Sequence, residues 1–147
     1  EEAQHLKQFE LLLGINSHGK TALPRMPSQW RVLAVHLYGY ETVGLEFARL
    51  LVGLRPDLIS ILKDEEVHVG FFEHEVRTIL TQGGPVADGA RQAAQSWRRR
   101  LPPTVNRYLH DESFAPFRDE LQRHILGVVD ERFLAVGLSA RPNLHEA

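Results

Sequence analysis

The chain of 147 residues is long enough for one domain with a sizeable core. Apolar residues make up 43 %, charged residues 24 %, and the formal net charge is −2, so the balance points to neither nucleic acid nor a membrane surface. The lack of cysteine excludes disulfides, thiolate-bound zinc, iron–sulfur clusters and a cysteine nucleophile. No apolar run approaches the ~18 residues of a transmembrane helix, and signal-peptide features are missing, so the expected location is cytoplasmic.

Leu6, Phe9, Leu12 and Leu13 recur at helical spacing and predict a helix over Glu1 to Leu13, stopped by Gly14. The chain opens inside this helix, without an N-cap. Residues 15 to 31, with Gly19, Pro24 and Pro27, read as a connection long enough to travel the length of a bundle, so the next helix need not be antiparallel to the first. A strongly apolar helix follows from about Val32 to Val52, ended by Gly53. Arg55, Pro56 and Asp57 form a tight corner. Proline suits the first turn of the next helix, which runs to Leu80, and so short a connection makes the pair an antiparallel hairpin. Gly83, Gly84 and Pro85 break the chain. A helix from about Val86 to Leu101 is predicted to break at Pro102 and Pro103. A long amphipathic helix then runs from Ser113 to about Leu138, with Phe114, Phe117, Leu121, Ile125, Val128 and Val129 as its apolar stripe. No segment carries a strand pattern, and the expected class is all-α.

Two stretches superpose. Glu1-Glu2-Ala3-Gln4-His5, followed by Phe9 and Glu10, lies in register with Asp64-Glu65-Glu66-Val67-His68, followed by Phe72 and Glu73. Each contains Glu-x-x-His preceded by an acid. Residues three apart share a helix face, so each copy presents a carboxylate beside an imidazole. A single such pair is common on solvated surfaces. Two copies embedded among apolar residues are different, because buried carboxylates need cationic compensation. A pair of divalent metals inside a bundle would supply it.

These residues resemble the paired motifs of the ferritin-like di-iron carboxylate superfamily, over roughly Glu1 to Leu80, with Asp64-Glu65-x-x-His68 the most specific part. The resemblance implies a ferritin-like four-helix bundle with additional C-terminal helices. It makes residues 1–147 one domain, with 1–82 as the metal-binding core and 86–138 as additional helices. It implies two iron ions, manganese being the alternative, held by Glu2, His5, Glu65, His68 and a Glu of the preceding helix, Glu46 or Glu41. Measured from the corner near Arg55, Glu46 and Glu65 lie at similar levels, whereas Glu41 lies about 7 Å deeper along the axis. Level favours Glu46; Arg49, one turn away, offers Glu46 a surface pairing instead. By the same resemblance Asp64 would orient His5 and Glu1 would orient His68. The fourth carboxylate is expected from a helix preceding Glu1.

Other residues have blander readings. Gly39 and Gly44 interrupt a helix, permitting close packing or leaving space beside the metals. Tyr38 and Tyr40 read first as core. His36 is a weaker ligand candidate, Asp119, Glu120 and His124 read as a solvated face, and Arg98 to Arg100 as a basic surface run.

The expected function is a di-iron oxidoreductase acting on dioxygen or peroxide, served by a separate electron-donor protein, because without cysteine there is no fused rubredoxin. Iron storage or detoxification by ferroxidase activity, and a metal-free helical interaction module, are the alternatives. No nucleic-acid or membrane partner is expected, and the apolar last helix offers a face for a homodimer.

Overall fold

The computed structural model describes residues 2–13 and 25–140, the side chains of Glu2, Phe9, Glu10, Leu12 and Leu13 excepted. Glu1 and the connection around Gly19 therefore lie outside the described residues. The fold is all-α: α1 (Glu2–Leu13), α2 (Trp30–Leu54), α3 (Ile59–Thr81), α4 (Gly84–Tyr108) and α5 (Arg118–Val136), with no strand among the described residues. None of these helices is long and apolar enough to cross a membrane.

Helix α2 is the central element. Ala34, Val35, Tyr38, Val43 and Leu45 are buried along it. The Thr42 hydroxyl, also buried, donates to the Tyr38 carbonyl at 2.8 Å, which satisfies it without a distant partner. The corner to α3 is a single 3-10 turn at Pro56–Leu58. Arg55 forks onto Asp57, Nε to Oδ1 at 2.9 Å and Nη2 to Oδ2 at 2.7 Å, and Leu58 and Ile61 pack with Ala48 beneath. The short connection folds α3 back antiparallel along α2. Gly83 and Gly84 then carry φ of +67° and +51°, a left-handed backbone that only glycine adopts without strain, and they start α4 in a new direction.

Helix α4 does not stop at Pro102 and Pro103 but runs through both to Tyr108. Each proline withholds an N–H from a carbonyl four residues earlier, at a cost of about 3 kcal/mol in a helix interior. Burial outweighs that cost. Trp97, Leu101, Val105 and Leu109 recur every four residues, all 3 % exposed or less, so stopping at 101 would expose the lower half of a continuous apolar stripe.

The last helix also differs from expectation at its start. Glu112–Phe114 is a separate 3-10 turn, capped by Asp111 accepting from the Ser113 N–H at 2.9 Å, and α5 begins only at Arg118. Arg118 reaches back to the end of α4, donating to the carbonyls of Leu109, His110 and Asp111 at 2.7, 3.0 and 3.2 Å. Phe117, assigned to the apolar stripe by spacing, is exposed. At the other end Gly137, at φ +93°, lets the Leu138 N–H close onto the Phe133 carbonyl at 2.8 Å.

One apolar core joins α2, α3, α4 and α5, with Val69, Val76 and Ile79 from α3 and Ile125, Val129 and Phe133 from α5. The segment expected as an addition after residue 82 thus supplies about half of the bundle that buries α2. Gly39 permits the closest approach. A Cβ there would lie 2.6–2.7 Å from the Trp97 indole of α4, so close packing is its role.

Candidate metal centre

The α2–α3 hairpin brings Glu41, Glu65 and His68 together. One donor atom of each lies within 4.8 Å of the other two, and His68 Nδ1 is 3.5 Å from Glu41 Oε2. Glu65 and His68 share a face because they are three apart on α3. Glu41 meets them from α2. Glu65 is only 9 % exposed, and its carboxylate lies where α2 has no side chain, at Gly44, where a Cβ would sit 3.0 Å from Glu65 Oε2. Gly44 therefore makes room for a site carboxylate.

The other oxygen of Glu65 faces α1. His5 Nδ1 lies 3.9 Å from Glu65 Oε1, while His5 Nε2 is 3.0 Å from Asp64 Oδ2. His5 is 6 % exposed. An Asp64 carboxylate accepting the Nε2 proton would leave Nδ1, the nitrogen nearer Glu65, as the acceptor of the ring. Asp64 thus touches His5, and both histidines present Nδ1 to a carboxylate. Glu1, and the side chain of Glu2, lie outside the described residues.

Glu46 does not join this group. Its carboxylate, in a residue 3 % exposed, is 2.8 Å from Arg49 Nη1 through Oε1 and 3.0 Å from His124 Nε2 through Oε2. Level along the helix axis favoured Glu46, but level is only half of the geometry. Five residues turn the helix by about 500°, which places Glu46 about 140° around α2 from Glu41, toward α5. His124 is accordingly an inter-helix clasp and not merely a solvated face, a role invisible to its local spacing.

The remaining candidates fall elsewhere. Glu73, the acid shared with the first motif copy, accepts from the buried Tyr38 hydroxyl at 3.3 Å and pairs with Arg77 at 2.8 Å, with Arg132 3.8 Å away. Burial, and then the Glu73 charge, push the Tyr38 phenol up to about 12. The Tyr38 ring is buried and stacks on Phe133 at 5.8 Å, as expected of a core residue, whereas Tyr40, expected in the core as well, is exposed and only meets the edge of Trp97 at 5.3 Å. His36 is not part of the group, and burial together with the Arg100 charge lowers its pKa. Arg98 forks onto Asp130 at 2.6 and 2.8 Å, tying α4 to α5, so one member of the basic run is a structural strut.

The donor set fits a first-row divalent ion. Such an ion bonds oxygen and imidazole nitrogen at about 2.0–2.2 Å, which puts opposed donors about 4.2 Å apart, within the spread of the three side chains. Mixed carboxylate and imidazole donors without sulfur suit iron and manganese. Beside the triad, the Glu65 carboxylate has a second donor neighbour in His5 Nδ1.

No protein-family model, curated protein sequence or solved structure matches the chain.

Proposed function

We propose that the chain is a ferritin-like di-metal protein, with iron as its metal, and acts as an oxidoreductase on dioxygen or peroxide. The observation that carries this reading is the position of Glu65. Its carboxylate lies between the Glu41–His68 pair and His5, so one buried anion faces two separate sets of donors. Three acidic side chains, Glu41, Asp64 and Glu65, converge here on two imidazoles, His5 and His68. Divalent cations offset that repulsion. Ferrous ions bound there would supply the electrons for reduction of dioxygen or peroxide.

The chain's own residues bind and orient. Glu41, Glu65 and His68 would hold one ion, and His5 with Glu65 the other. Asp64, by accepting from His5 Nε2, would leave Nδ1 as the ligating nitrogen. The burial of His5 and Glu65 withdraws those donors from bulk water and strengthens their attraction for a cation. Glu41 and His68 are half-buried. The electrons to recycle such a centre would come from a separate protein.

The test is elemental analysis of the full chain after anaerobic loading with ferrous iron, beside a Glu65→Ala, His68→Ala variant. The expected result is about two ions per chain, lost in the variant, followed by oxidant consumption on exposure to dioxygen or peroxide. Accumulation of a ferric mineral far beyond that ratio would identify iron storage instead. No metal in either sample would overturn the reading.

A further inference from the structure

The basic run of α4 lies beside a cavity that the metal reading does not use. Residues 91, 95, 98 and 99 fall at i, i+4, i+7 and i+8 and so share one face of α4. That face overlooks a cavity of about 550 Å³ between α4 and the end of α5, lined by Arg91, Arg98 and Arg99 and, on its apolar side, by Ala94, Phe133 and Leu138. Two of the three guanidinium groups are held in place. Arg98 is fixed by its fork onto Asp130 through Nε and Nη2. Arg91 donates Nε to the Gly137 carbonyl at 3.2 Å and Nη1 to Asp88 at 3.3 Å, so the turn that carries Leu138 is tied to the same helix face. Nη1 of Arg98 and Nη2 of Arg91 bond to no described residue, and neither does any nitrogen of the exposed Arg99 side chain.

We infer that this cleft binds a small organic acid, a carboxylate carried on a hydrocarbon body. The charge on its walls is complementary to such a ligand. Three arginines face one acid, Asp130, in a chain whose formal net charge is −2, and Asp88 at the edge offsets only Arg91. A planar guanidinium matches a carboxylate through two parallel N–H donors, and groups already anchored lose little freedom on binding. The apolar side, where Phe133 and Leu138 are 2 % and 3 % exposed, takes the hydrocarbon. A cavity of this volume is in the range that holds small ligands, and apolar walls with a few convergent polar groups are how such sites are built. The inference stands independently of metal binding, because none of Glu41, Glu65 and His68 lines this cleft.

The experiment titrates the full chain with octanoate and follows backbone amide shifts by nuclear magnetic resonance. Octan-1-ol, which keeps the body without the charge, and inorganic phosphate, which keeps charge without the body, are the comparisons. Octanoate is expected to bind with a dissociation constant below about 1 mM, shifting amides over residues 91–99 and 130–140. Both comparison ligands should bind at least about tenfold more weakly. Arg99→Gln should weaken octanoate about tenfold without moving the melting temperature, because Arg99 ties no two elements together. Arg91→Gln should weaken it as well, with a melting curve to confirm the fold. Octan-1-ol binding as tightly as octanoate overturns the inference, and so does unchanged affinity in both arginine variants. Shifts centred instead on Leu54 and Phe117, which line an apolar cavity without arginine, overturn it too. So does the absence of any binding to the full chain.

Discussion

Gly44 of α2 leaves the space that the Glu65 carboxylate of α3 occupies: a Cβ at Gly44 would lie 3.0 Å from Glu65 Oε2. Glycine inside a helix costs about 1 kcal/mol relative to alanine. Gly44→Ala should therefore leave the metal-free bundle no less stable while displacing the carboxylate. The expected outcome is an unchanged or higher melting temperature with metal affinity lowered about tenfold or more, read by calorimetry. Unchanged affinity would mean that Glu65 is not a ligand from this position.

Glu41 and Glu46 should separate cleanly. Glu41→Gln removes a donor from the triad and should weaken metal binding with little effect on folding. Glu46→Gln should leave affinity unaltered and cost about 1–2 kcal/mol of stability, because Arg49 and His124 lose a charged partner between α2 and α5. Paired titrations and urea melts of the two variants test this. The reverse pattern would place the metal at Glu46.

Gly39 makes a contrasting prediction. The Trp97 ring that faces it is 3 % exposed and cannot swing aside as a flexible side chain can. Overpacking of about 1–3 kcal/mol should exceed the helical gain from alanine. Gly39→Ala is expected to lower the melting temperature by several degrees, at about 2–4 °C per kcal/mol for a chain of this size.

Tyr38 gives the protein an alkaline limit. Its phenol is pushed up from 10.0 to about 12 in the folded chain, first by burial and then by the Glu73 charge. Between those values the unfolded chain has lost this proton and the folded chain still holds it, so raising the pH favours unfolding. Stability should fall by up to about 1.4 kcal/mol per pH unit in that window from this group, and be unaffected by it below pH 10. Tyr38→Phe should flatten this part of the profile. Denaturant melts at pH 9 to 11 would show it, and an unchanged slope in the variant would assign the loss to other groups.

The sequence by itself determined the helices and the doubled motif. Apolar periodicity reports which side of a helix avoids water, and Pro56, Gly83 and Gly84 mark corners through local backbone rules that need no tertiary knowledge. The i, i+3 spacing of Glu65 and His68 likewise fixed their shared face before any packing was known.

What only the tertiary structure decided is whether α4 survives its prolines and which partner each polar side chain of α2 and α5 meets. Pro102 and Pro103 read locally as a break, yet the neighbours that bury Leu101, Val105 and Leu109 carry α4 through them. Glu41 and Glu46 could be ranked by level, but the rotation of α2 against α3 and α5 sends one to His68 and the other to His124. His124, grouped by spacing with Asp119 and Glu120 as a solvated face, gained its role from a residue 78 positions away. Periodicity encodes the phase of a helix with respect to its own apolar face. The partner that a given polar side chain meets is set by how two such faces dock, and that is a property of the packed bundle.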